Sequence, residues 1–138
     1  MPFAYEDFKE ALLVPAHLAS NFPAFRLTAV VPENFRALLE KDHFSEVIPL
    51  KPRDADFFQL PNKGLKNSLS KKGFDLAIDL NFKANLFSSI LCAASGARVR
   101  VGFDGQEWGQ FFNYLILPRE ASDSKSKFRA LLHYLCFA

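Results

Sequence analysis

Cysteine is scarce in this sequence and sits where no metal would use it. Cys92 and Cys136 are the only two, each inside an apolar stretch and away from any ligand spacing. They read as reduced core thiols, the state kept in the cytosol, rather than as a disulfide framework. Long apolar runs are absent as well. None approaches the ~18 residues that a spanning helix requires, so no transmembrane segment is expected. The stretch from Met1 to Glu10 carries acids and no basic leader, which excludes a signal peptide and makes cytoplasmic the expected localisation. A net charge of +2 and a sequence pI of about 8.6 fall short of the basic surplus that nucleic-acid binding demands, so no nucleic-acid partner is expected. Gly102, Gly105 and Gly109 follow a strand but at the wrong spacing for a phosphate-cradling loop. Nucleophile elbow, zinc pattern and Walker motif are missing, and His17, His43 and His133 have no partner at ligand spacing. No cofactor and no metal are implied.

What is present is enough for one globular domain. The 138 residues are 49% hydrophobic and 23% charged, an ordinary balance for burying a core, and are read as a single domain, 1–138. Phenylalanine stands out at 16 residues. Either the core is aromatic-rich or some rings are exposed for a partner.

Helical periodicity begins at Asp7, a candidate N-cap, and runs to Asn21 with Pro15 set to kink or divide it. Phe25 to Val31 reads as a strand, Pro32 to Glu40 as a short helix burying Phe35, Leu38 and Leu39, and Val47 to Leu50 as a second strand. Lys51 to Asn62 is a loop returning across the surface, followed by a basic helix from Leu65 to Lys72. Phe74 to Leu80 is the strongest strand and suits the doubly buried interior of a parallel sheet. The apolar helix from Ala84 to Ser95 is stopped by Gly96. Arg98 to Phe103 alternates like a strand with one solvated face, Tyr114 to Leu117 is a short strand, and Lys125 to Phe137 is a closing amphipathic helix. Strands alternating with helices predict an α/β fold, a Rossmann-like three-layer sandwich with a mostly parallel sheet. It lacks the usual first strand, since only Met1-Pro2-Phe3-Ala4-Tyr5 precedes the first helix.

Five segments carry a family resemblance. They are Leu12 to Leu18 with Phe22-Pro23, Leu27 to Glu33, Glu46 to Leu50, Phe74 to Leu80, and Ala94 to Phe103 with its Ser-Gly-Ala exit and Gly-Phe end. In this order they resemble the N-terminal, acceptor-holding domain of the ADP-heptose:lipopolysaccharide heptosyltransferase family (glycosyltransferase family nine, GT-B fold), over roughly Phe8 to Leu117. The resemblance implies glycosyl transfer in a complete enzyme, with the nucleotide sugar held by a second domain that 138 residues do not supply.

Transfer to a hydroxyl needs a base near the acceptor and cations for the leaving diphosphate. The family's base is an Asp after Gly at the start of the first helix. Lys9 stands at that position here, preceded by Phe8. Glu10 is the substitute catalytic candidate, but it lies one residue along, about 100° around the helix; the other reading is a solvated acid favoured by the helix dipole. Asp79, at the carboxyl end of the strongest strand, is a candidate substrate-binding residue or a cap for the following loop. Lys83 could meet an acidic sugar or phosphate, or simply lie exposed; before it, Phe82 replaces a family glycine and crowds a close approach. Arg98 and Arg100 share a strand face and, with Lys71 and Lys72, form either an anion patch or a solvated face. Trp108, Phe111 and Phe112 lie in a glycine-containing loop and are either an interface anchor or a plug for the sheet's end. The expected function is a degenerate or truncated glycosyltransferase-like acceptor module without catalysis of its own. Its partners are a sugar or acidic acceptor ligand, or a protein partner. The alternatives are the acceptor half of an active enzyme completed elsewhere, and a self-associating homodimeric module built on exposed strand edges.

Overall fold

A computed structural model describes residues 5–82, 85–103, 109–116 and 124–135. The fold is α/β, and the pairings between its five described strands are all parallel. The chain divides into two compact units, Met1–Leu50 with Pro118–Ala138, and Lys51–Leu117. Each has its own sheet: β1 (Thr28–Pro32) with β2 (Glu46–Leu50) in the first, and β3 (Leu76–Ile78), β4 (Val99–Phe103) and β5 (Tyr114–Ile116), in that order, in the second. The one sheet expected from the sequence is thus two hydrogen-bonded sheets, and no described strand precedes the first helix.

In the first unit the opening helix is divided, and at Leu12 rather than at the proline. Helix α1 spans Tyr5–Ala11 and α2 spans Leu13–Asn21. Proline has no N–H to give to the carbonyl four residues back, here that of Ala11. Restarting at Leu13 puts Pro15 in the first turn of α2, where that N–H has no intrahelical acceptor in any case. Asp7 lies inside the first turn of α1 rather than capping it.

Thr-Ala-Val-Val gives β1 its β-branched stiffness, and alternation turns Ala29 and Val31 inward. The register runs from Thr28 opposite Glu46 to Pro32 opposite Leu50. Pro49 in β2 has no N–H for a further neighbour, which suits an edge strand. Glu33–Leu38 is a 3₁₀ turn rather than an α-helix, and the chain becomes extended at Leu39. That places Phe35 and Leu39 in the core and leaves Leu38 exposed, unlike the expected burial of all three. The cluster is Phe8, Ala29, Val31, Phe35 and Leu39, with Leu12, Phe44 and Val47 against it. The rings of Phe8 and Phe35 meet at 4.8 Å. Helix α5 (Ser124–Leu135) packs on α1 and α2 and buries Phe128, Leu131 and Leu132, a three- and four-residue stripe.

In the second unit, residues 51–62 form a closed hairpin rather than a loose loop. A 3₁₀ turn at Pro52–Asp54 leads to an antiparallel bridge between Ala55 and Pro61. The Asp56 N–H donates to the Leu60 carbonyl at 2.7 Å. The Asp56 carboxylate accepts from the N–H groups of Phe58 (2.8 Å) and Leu60 (3.0 Å). Gln59 takes the left-handed backbone this tight reversal needs, at φ 61°. Asn62 then caps α3 (Lys63–Ser70), its side-chain oxygen accepting from the Leu65 N–H at 2.8 Å. Leu65 and Leu69 bury the inner face of α3, which packs on α4 (Leu86–Ala94). Gly96 ends the α4 segment at φ +73°, as its position implies.

Strand β3 is shorter than the sequence suggests and only half-buried, while Asp79 and Leu80 just beyond it are buried. Strand β4 also departs from the expected alternation. Val101, Gly102 and Phe103 are all buried, because the second face of its end is covered from inside the unit. The cover over Gly102 is Phe112. A Cβ added at Gly102 would meet three atoms of that ring at 3.0 Å, a contact so tight that the buried ring would have to shift by a few tenths of an ångström. Gly102→Ala should therefore destabilise the protein by about 1–3 kcal/mol, and pairing it with Phe112→Leu should recover part of the loss. Urea denaturation of both variants measures this; an unchanged midpoint for Gly102→Ala would refute the packing described.

Candidate functional site

The carboxyl ends of parallel strands are where α/β folds place ligands, and Asp79 follows β3 at that point. Its N–H donates to the Val101 carbonyl at 2.9 Å, extending the β3–β4 ladder by one residue. Its side chain is 3% exposed. A carboxylate so buried must be hydrogen-bonded, and three donors meet it. The Asn81 N–H (3.0 Å) and Asn81 Nδ2 (2.7 Å) donate to Oδ1, and the Ser88 hydroxyl donates to Oδ2 at 2.7 Å.

Those donors are fixed in turn by the start of α4. Asn85 caps the helix, its Oδ1 accepting from the Ser88 N–H at 3.0 Å, and the Ser89 hydroxyl donates to the Asn85 carbonyl at 2.9 Å. Asn81 Nδ2 also lies 3.2 Å from Ser88 Oγ. One helical turn along, burial pushes the Cys92 thiol up to about 12, with the Asp79 carboxylate adding to the effect. Cys92 is therefore a protonated, unreactive thiol at neutral pH.

Aromatic rings close the same strand ends. Phe82 stands edge-on to Phe103 at 4.7 Å, and Phe112 lies over Gly102.

Arg100 is half-buried and tied to the backbone: Nε donates to the Phe111 carbonyl at 2.9 Å and Nη1 to the Ala97 carbonyl at 3.0 Å. The Asn113 side chain completes the tie as if it were a peptide group, accepting from the Arg100 N–H (2.7 Å) and donating to the Arg98 carbonyl (2.6 Å). These bonds hold the turn before β5 against β4. The Arg98 side chain, Lys71 and Lys72 are exposed. Phe111 is half-buried and Phe112 buried, spending its apolar area inside the unit. Lys83 and Trp108 lie outside the described residues. Glu10 is exposed on α1 in the first unit, beside the buried Phe8; Lys9 is exposed too, its Nζ 5.8 Å from the centre of the Tyr5 ring. Among the described residues no three His, Cys, Asp or Glu side chains gather as a metal site, and no helix is long and apolar enough to cross a membrane.

Asp79 stands out in the sequence, but its partners Asn81 and Ser88, and the Asn85 cap that orients Ser88, do not. The available signal was Asn85 itself, a cap-type residue directly before an apolar helical run.

A family model matches residues 35–137, about three quarters of the chain, and the chain belongs to that family: DUF6913, a family of unknown function. No curated protein and no solved structure matches it. The matched span includes the whole Asp79 network and the 51–62 hairpin.

Removing the carboxylate takes the acceptor from three donors and leaves only longer contacts, Ser88 Oγ to the Asn85 carbonyl and Asn81 Nδ2 to Ser88 Oγ, both at 3.2 Å. Asp79→Ala should cost about 3 kcal/mol, and Asp79→Asn, which can still accept at one oxygen, about half of that. Urea denaturation checks the order; two losses no larger than a surface substitution would show that the network carries no weight.

Proposed function

We propose that this chain is a non-catalytic α/β module of the glycosyltransferase acceptor-domain type, one that keeps the strand-and-helix order of such a domain without its chemistry. The observation that carries this reading is the state of Asp79. A general base must come within hydrogen-bond reach of the proton it removes. Asp79 holds both oxygens on Asn81 and Ser88 behind a nearly closed surface.

Three substitutions relative to the resembled family support the same reading. Phe8 and Lys9 stand where that family has Gly-Asp, and Phe8 is a fully buried core residue, so its place is set by packing rather than by an acceptor. Glu10 points to water from α1 and has no described partner that would orient it as a base. Phe82 packs on Phe103 where a glycine would let an acceptor approach the backbone.

The alternative, an active acceptor half, requires binding of a sugar donor or acceptor at these strand ends. Thermal denaturation of the chain with millimolar acceptor-type sugars, plain and phosphorylated, alongside nucleotide sugars separates the two. A ligand present at ~100 times its Kd stabilises by about 2.7 kcal/mol, which is several degrees for a domain of this size. No concentration-dependent shift is expected. A saturable rise in Tm with any of these sugars would overturn the non-catalytic reading.

A further inference from the structure

The hairpin at Ala55–Pro61 holds the most exposed large apolar side chains among the described residues. Phe57 is 91% exposed and Phe58 75%, and the two rings touch each other edge to face at 5.4 Å. Rings left in water contribute nothing to folding, yet the backbone beneath is firmly built. Its bridge, the double acceptance by Asp56 and the left-handed Gln59 fix the two rings outward. The entropy of ordering the tip is therefore met on folding, leaving little to lose when it docks.

The charge around the hairpin is as uneven as its polarity. From Lys51 to Lys72 the chain has six cations (Lys51, Arg53, Lys63, Lys66, Lys71, Lys72) and two carboxylates, a surplus of four. The whole chain is only +2, so the other 116 residues are net −2. Arg53 and Lys63 flank the hairpin directly. Its closure brings them together, since Asn62 Nδ2 donates to the Arg53 carbonyl at 2.8 Å and the Asn62 N–H to the Asp54 carbonyl at 2.8 Å. The carboxylates Asp54 and Asp56 accept backbone N–H groups of the hairpin, which meet part of their charge.

We propose that this hairpin is a membrane-surface anchor: Phe57 and Phe58 enter the interface of an anionic bilayer while the flanking cations meet its headgroups. The chemistry favours a bilayer over a protein. Protein hot spots lie within a packed apolar patch ringed by a rim, whereas here two rings stand between exposed, polar Asp56 and Gln59. A fluid interface accepts isolated aromatic rings, and anionic lipid attracts clustered Lys and Arg. The anchor is peripheral and independent of the non-catalytic reading above, since it shares no residue with the Asp79 network.

The test is co-sedimentation of the full chain with vesicles of phosphatidylcholine alone and of phosphatidylcholine with 30% phosphatidylglycerol. Binding is expected to the mixed vesicles and to weaken as salt shortens the Debye length below about 8 Å. Phe57→Ser/Phe58→Ser should lower the partition coefficient roughly tenfold or more, and Arg53→Glu/Lys63→Glu should do the same on anionic vesicles only. All four positions are on the outside, so far-UV circular dichroism and Tm should stay at wild-type values. The proposal is overturned if the chain binds neither vesicle, or if the double serine variant binds as well as wild type, which would leave charge adsorption alone. It is equally overturned if the serine variant abolishes self-association of a chain that ignores vesicles, which would make the hairpin a protein interface.

Discussion

Burying a carboxylate is costly unless every lone pair facing the interior finds a donor, and the second unit is organised around meeting that demand at Asp79. The donors come from the two segments that must be placed after β3. Asn81 supplies its backbone and side-chain N–H from the turn, and Ser88 supplies its hydroxyl from the first turn of α4. Asn85 orients Ser88 by capping that helix. One charge thus fixes a strand end, a turn and a helix start together. In a low-dielectric setting such a network is strong when complete and costly when partial, so the three elements are held as a group.

The same arrangement closes the place where chemistry would be expected. A carboxylate at the end of a parallel strand is a natural ligand position, but here its oxygens serve the fold. The rings of Phe82, Phe103 and Phe112 fill the strand ends beside it. Arg100 follows the same pattern, since its guanidinium holds two carbonyls and the turn before β5. Residue types that look reactive in sequence are employed as joints. The first unit shows a parallel case in Phe8, which is fully buried against Phe35.

The alternation of strands and helices was legible because β-branched runs, prolines and Gly96 act locally. The parallel class followed from their order. What was not legible depended on tertiary partners. Leu38 and Leu39 have equal hydrophobicity, and only the extended turn at Leu39 decides which one is buried. The burial of the β4 end required knowing that Phe112 folds back over Gly102. Asp79 could be singled out by position, but its role could not, since Asn81 and Ser88 reach it across a turn and a helix start. The hairpin read as a plain loop because nothing in Asp-Phe-Phe-Gln announces that Asp56 will collect two backbone N–H groups and leave both rings outside.

A closed strand end requires that Asp79 and Asn81 be locked together in the native protein. Amide hydrogen exchange at the Asn81 N–H reads this bond by itself. A buried, charge-assisted bond to Asp79 predicts exchange only through global unfolding, with a protection free energy matching that from urea denaturation, and loss of that protection in Asp79→Ala, where the acceptor is gone. Exchange of Asn81 at rates typical of an open loop, in a protein whose core amides remain protected, would mean that the strand end opens on its own, and the closed-site account would fail.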